Sequence, residues 1–174
     1  MAKTLSLLCG LVPLFVIAGE VQTFPAKGVD LSAYKTYQLL PARILTATGV
    51  IENDPDIGPL IAAALRKQLS GKGLTEQSGG AGLQVAAGAL TVSVPQIEAL
   101  IYNMANDASW GSSPLVTIGR YNKEGTLIVN LIDPSTNKSV WLGVSKRALG
   151  KPSTREKDIN KAAEAMFKKY PSLK

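Results

Sequence analysis

Carboxylates offer the one route to enzymatic chemistry in this chain, because it holds no histidine and a single cysteine, Cys9. Without histidine there is no Ser-His-Asp hydrolysis, no imidazole acid–base work and no histidine-bound zinc. A glycosidase-like site needs two acidic side chains flanking one bond, one as acid and the other as nucleophile or base. The acids here are spaced for other work. Asp54 and Asp56 stand just ahead of an apolar helical stretch. There one caps free amides and the other meets the positive end of the helix dipole. Asp133 precedes Pro134 and opens a turn. Glu98, Asp107 and Glu124 are isolated, so only the tertiary fold can bring them together. No run of acids has calcium-loop spacing.

Glycine-rich stretches fare no better. A phosphate loop lies after a strand and before a helix, with its own basic and hydroxyl partners. Gly79-Gly80-Ala81-Gly82 precedes a strand, and Gly71-Lys72-Gly73 lacks the full pattern, so both read as turns. The residue types therefore nominate no catalytic, cofactor-binding or metal residue. They do nominate a binding surface. Trp141 can pack against sugar or lipid with Lys146 and Arg147 supplying charge, or it can fill a sheet–helix interface as strand aromatics commonly do. Trp110 sits among Asn106, Asp107, Ser109 and Gly111, a loop text, and with Tyr102 it can border a binding patch.

The N-terminus bears on compartment. Lys3, the apolar run Leu5 to Ala18 and the small pair Ala18-Gly19 have the three parts of a secretory signal, expected over residues 1–19. Cleavage after Ala26 is the alternative. The apolar run is shorter than the roughly 20 residues of a membrane span, so no integral span is expected in the mature form. Cleavage removes Cys9, and with it any disulfide, thiol nucleophile or cysteine–metal centre. Lipidation of Cys9 fits poorly, because only Leu5 to Leu8 precede it and Leu7-Leu8 is not a small-residue context.

The 174 residues suffice for one domain with a real core. A composition 45% hydrophobic and 18% charged is that of a globular chain, not a disordered one. The net charge of +6 falls by one when Lys3 leaves with the signal. Its scattered basic residues read as solvated faces, with a general attraction for anionic lipid, glycan or wall polymer. Nucleic acid is excluded as a partner, because aromatic and basic residues do not interleave.

The elements that would position these residues follow from period and punctuation. Residues 20–29 form a lead-in, and Tyr34 to Leu40 a first strand ended by Pro41. Residues 42–53 lack a period and read as loop or short irregular strand. Asp54-Pro55 opens a helix with Ile57, Leu60, Ile61, Ala64, Leu65 and Leu69 on one face, ended near Gly71 and Gly73. Pro59 can kink its start or move it downstream. Leu83 to Val94 is a long strand in which Gly88 marks a bulge or close backbone approach. Ile97 to Met104 can make a short helix. Leu115 to Tyr121 and Thr126 to Ile132 are strands joined by a turn at 122–125, and Ser139 to Arg147 follows the Asp-Pro turn as another. A last helix runs from Arg155 to Tyr170, with Ser153 and Glu156 at capping-box spacing. Its stripe is Ile159, Ala162, Ala163, Met166, Phe167 and Tyr170. The fold class is α+β, a mainly antiparallel β-sheet with two amphipathic helices packed on one face. Thr126, Ile128, Asn130 and Ile132 predict a second face that is only partly wet, which a further partner or the Ile97–Met104 segment can cover.

The texts DLSAYKTYQLLP at 30–41, KGL at 72–74 after the first helix, and EGTLIVNLIDPSTNKSVWLG at 124–143 resemble a bacterial envelope family called domain of unknown function 4136. So does the ending on Tyr170-Pro171. The likeness covers residues 30–171, a single α+β envelope domain. It implies export in a Gram-negative bacterium, often as a lipoprotein, with no established catalytic residue or cofactor. Tyr34, Asp133 and Trp141 inherit no role from it. The expectation is a non-catalytic domain in the periplasm, soluble or peripherally membrane-associated, that binds or scaffolds an envelope protein, lipid or glycan. The alternatives are a carboxylate-dependent hydrolase of an envelope polymer and an outer-membrane lipoprotein.

Overall fold

The computed structural model describes residues 21–46, 49–80, 82–90, 125–149 and 151–171. Among these lie strands β1 (Val21–Pro25), β2 (Thr36–Leu39), β3 (Arg43–Thr46), β4 (Gly49–Glu52), β5 (Thr75–Glu76), β6 (Leu83–Leu90), β7 (Gly125–Asp133) and β8 (Lys138–Leu149). The helices are α1 (Gly58–Gly71) and α2 (Arg155–Phe167). One sheet runs β1-β8-β7-β6-β2-β5, with β3 also on β6 and β4 outside β3. The pairs β1–β8, β8–β7, β7–β6 and β3–β4 are antiparallel; β2 and β3 run parallel to β6, and β5 parallel to β2. The α+β class and both helices are as expected from the sequence.

Period-two alternation sends Leu83, Val85, Ala87 and Ala89 of β6 and Leu127, Val129 and Leu131 of β7 to one face. There they meet the stripes of α1 (Ile61, Ala64, Leu65, Leu69) and α2 (Ile159, Ala162, Ala163, Met166, Phe167) in one core cluster. The opposite face is not partly wet as its mixed polarity predicted. Thr126, Ile128, Asn130 and Ile132 are all buried, and Asn130 accepts a 2.6 Å hydrogen bond from the Ser139 hydroxyl. That bond gives the buried amide oxygen a partner within the protein where the pattern assigned water.

The lead-in contains structure too: β1 pairs with β8 from Val21↔Ser145 to Pro25↔Trp141. Residues 42–53, read as loop or irregular strand, contain the β3–β4 hairpin, with Arg43↔Glu52 at one end and Thr46↔Gly49 at the other. Before it the chain jogs. β2 pairs with β6 as far as Leu39↔Val85 and β3 resumes at Arg43↔Gly88, so residues 40–42 face only 86–87. Pro41 stands in that interval, where it has no amide to give to a ladder. Gly88 makes no bulge in its antiparallel ladder; it pairs with Ile128 in continuous register. The irregularities lie in the β7–β8 ladder, between Gly125 and Leu127 and between Leu131 and Ile132.

Proline also moves the start of α1. Residues 55–57 form a turn and the helix begins at Gly58, with Pro59 in its first turn, where no intrahelical donor is needed. Asp54 caps that turn, its Oδ1 accepting from the amides of Asp56 (3.0 Å) and Ile57 (2.8 Å). At the other end Gly73 adopts φ 81°, the Leu74 amide reaches Leu69 O (3.1 Å), and the Gly73 amide reaches Ser70 O (2.9 Å). That is a Schellman end, and it explains the glycine. The Ser153–Glu156 capping box does not form. A 3-10 turn, Pro152–Thr154, precedes α2, and the Thr154 hydroxyl donates to Asp158 instead (2.7 Å).

Candidate functional site

Several acids have plain structural partners, and α1 has no acid in its first turn because the helix starts at Gly58, so Asp56 does not take the place at the helix dipole expected of it. Asp54 caps the turn ahead of α1, not the helix itself, and Glu52 pairs with Arg43 across the hairpin at 3.1 Å. Glu76 receives Arg66 through two nitrogens, at 2.8 and 3.0 Å, which holds its carboxyl below the usual range. Asp133 accepts from the Ser135 hydroxyl (2.6 Å) and amide (2.8 Å) and from Tyr34 OH (3.1 Å), and those bonds, Ser135 first, lower its pKa. These are turn, cap and tether roles. Among the described residues no group of three or more metal-ligating side chains occurs. Glu98, Asp107 and Glu124 lie outside the described residues.

Of the surface expected from Trp141, Lys146 and Arg147, the tryptophan is placed in the core. Trp141 is fully buried, its ring 5.2 Å from Phe167 and 5.6 Å from Tyr170, centroid to centroid. Packing against sugar or lipid requires an open ring face, and this one is covered by Phe167 of α2 and by Tyr170, three residues past its end. Lys146 is half-buried on β8, and the backbone of Arg147 continues that strand. Tyr102 and Trp110 lie outside the described residues.

The aromatic cluster has a titration consequence. The Tyr170 hydroxyl is buried without a hydrogen-bond partner among the described residues, and desolvation pushes its pKa up to about 12, with the nearby Tyr34 adding to the shift. Because the folded value exceeds the unfolded one near 10, the contribution to stability is intact below pH 10 and is lost as pH rises toward 12. Spectrophotometric titration is expected to show Tyr170 ionising last, with Tyr34 and Tyr37 also raised by burial, and unfolding free energy falling across that window. A full complement of tyrosines ionising near pH 10 in the folded protein contradicts this environment.

What the fold does bring together lies at the base of the β3–β4 hairpin, where the sequence reading placed nothing. The jog at Pro41 leaves a depression on each face of the sheet, both lined by Leu40, Pro41 and Ala87 and each about 340 Å³. The helix-side one is walled by Pro55, Pro59 and Ile61, with Asp54 and Arg66 as its charged groups. The other holds the Arg43–Glu52 pair, Gln84, Ile132 and Asn137. Asn53, at φ 56°, turns the chain between them. Each depression contains one carboxylate, and both are already engaged, so neither offers an acid/nucleophile pair. Beside them β4 is paired only with β3 among the described residues, and it exposes Val50 (48%) and Ile51 (46%). An apolar strand with an open edge is a template for another strand. The local signal was Gly-Val-Ile-Glu, too short to establish a period.

None of the curated proteins matches the chain. Among solved structures, a DUF4136 family protein from Bacteroides thetaiotaomicron is similar at TM-score 0.64 and 16% identity, over 90% of this chain and 97% of that one. A PDZ domain protein from Parabacteroides distasonis is similar at TM-score 0.58 and 15% identity, over 90% of this chain and 36% of that one. The PelC dodecamer from Paraburkholderia phytofirmans gives TM-score 0.43 at 16% identity, over 83% of this chain and 96% of that one. At such identities the first two likenesses speak for the fold alone. The family model described as "Domain of unknown function (DUF4136)" matches residues 21–172. With that span covering the described fold from β1 to the end of α2, the chain belongs to the DUF4136 family.

Proposed function

We propose that this chain is a non-catalytic, exported envelope domain that binds or scaffolds another envelope component through the open edge of β4. The observation that carries the reading is the pair Val50 and Ile51, large apolar side chains exposed on a strand with one edge unpaired among the described residues. The favoured partner is an extended protein segment, because an added strand gains main-chain hydrogen bonds and sends alternate side chains to the two faces. Depressions lie on both faces beside the hairpin. A photo-crosslinking side chain at Val50 in intact cells is expected to give one discrete protein adduct. Ile51→Lys, a charge on the edge, should abolish it. Equal adducts from Lys138, an exposed turn-end residue, would refute edge recognition. Release of soluble fragments from purified wall polymer would favour the hydrolase instead.

Export and location rest on the apolar N-terminal run. Intact mass of the native protein is expected to place the mature start at Gly19 or Glu20, in the periplasmic fraction or peripherally bound. A lipidated product beginning at Cys9 would make it an outer-membrane lipoprotein. No described helix is long and apolar enough to cross a membrane.

A further inference from the structure

We infer that the depression on the sheet face away from the helices is a binding site for a neutral saccharide. Three carboxamide side chains line it, Asn53, Gln84 and Asn137, beside the Arg43–Glu52 pair. They come from three places that only the fold unites. Asn53 follows β4, Gln84 stands on β6, and Asn137 ends the turn between β7 and β8. No hydrogen bond joins any of the three side chains to another described residue. Ala86 and Ile132 are buried together with Leu40 packed against them, and they supply an apolar floor.

Both asparagines stand in left-handed backbone, Asn53 at φ 56° and Asn137 at φ 52°. Elsewhere the described chain turns through positive φ on glycine, at Gly28, Gly73 and Gly80, the residue that does so without strain. Asparagine tolerates the conformation better than other side chains, and that explains its use in a turn. It does not explain why both departures from glycine line one depression with a third carboxamide. A carboxamide presents donors and an acceptor together. A sugar hydroxyl likewise donates and accepts, so the two match, while the C–H face of a sugar ring suits the apolar floor. An anion is not favoured, because the Arg43 charge is met by Glu52 at 3.1 Å. Nor is a peptide strand. Here β6 runs between β2 and β3 on one edge and β7 on the other, which leaves no open strand edge to pair with. At about 340 Å³ the depression is at the small end of ligand sites, the size for a terminal sugar unit rather than a long chain.

The test is NMR titration of the isotope-labelled protein, as isolated from the envelope, with maltotriose, cellotriose and tri-N-acetylchitotriose. At least one sugar is expected to shift the amides of Asn53, Gln84 and Asn137. The double variant Asn53→Gly and Asn137→Gly removes both carboxamides and keeps the backbone, because glycine adopts positive φ without a steric cost. It should weaken binding about twenty-five-fold, a factor of about five for each hydrogen bond lost, with the fold unchanged by circular dichroism. Unchanged affinity in that variant would reduce the asparagines to turn residues and overturn the proposal. Binding of none of the three sugars would overturn it as well. Tighter binding of glucose 6-phosphate than of any neutral sugar would do the same, since it would assign the site to the Arg43 charge. The β4 cross-link reads capture of a protein and this titration reads a sugar, so either reading can fail alone.

Discussion

Replacing Trp141 with alanine is expected to lower the unfolding free energy by about 3–5 kcal/mol, the range for deleting a fully buried large aromatic. Its indole is shut between β8 and α2, tilted against Phe167 and edge-on to Tyr170. It is paired in the sheet with Leu131 on one side and Pro25 on the other. Alanine there would leave a cavity bounded by two rings that are themselves buried, and α2 cannot collapse into it without losing its seat on β8. Urea unfolding followed by circular dichroism measures the loss, since Trp110, the second of two tryptophans, complicates fluorescence. Trp141→Phe should cost much less. A Trp141→Ala loss under about 1 kcal/mol would mean that the ring lies at a surface.

The second large effect lies two residues away. A Cβ on Gly143 would stand 2.5 Å from Trp141 Cη2, 2.9 Å from Cζ3 and 3.0 Å from Met166 Sδ. Alanine is a better strand residue than glycine, yet overpacking a filled interior costs about 1–3 kcal/mol. Gly143→Ala is therefore expected to destabilise, against its propensity. The cause is separable by a double-mutant cycle. In a Trp141→Leu background the ring atoms that clash are gone, and the alanine should cost far less, giving a coupling of about 1–2 kcal/mol. Additive losses would show that Gly143 is needed for some reason other than the indole lying over it.

These two residues show how much of the fold could be read in advance. The run around Trp141 is β-branched, alternating and bounded by an Asp-Pro turn, so β7 and β8 are legible locally. The helices are legible for the same reason: their stripes recur at 3.6 residues, and Gly73 marks an end that only a left-handed residue closes in this way. The β3–β4 hairpin was not. Arg43–Thr46 and Gly49–Glu52 are four residues each, too few to display a period, and β4 exposes the apolar residues that patterning assigns to a core. Val21–Pro25 was passed over as a lead-in because its strand character comes from β8, far along the chain. Thr126 and Asn130 pointed to a face that is only partly wet because a polar side chain looks solvated until its buried partner, here the Ser139 hydroxyl on Asn130 Oδ1, is known; Asn130 Nδ2 is buried without a partner among the described residues.

The sequence by itself determined the chemistry that is missing and the elements that are strongly periodic. Both are properties of residue type and short spacing: no histidine means no imidazole, and a 3.6-residue stripe means a helix with one buried side. Tertiary structure alone decided where surfaces lie. Pro41 announces only that a strand must stop. That the chain jogs and resumes on the same edge of β6, opening a depression on each face and leaving β4 at the rim, depends on pairing with residues more than forty positions away. Likewise the ends of α1 and α2 come together only in the fold, where the Lys72 amine reaches Tyr170 O and the Lys169 amine reaches Val21 O at the start of β1.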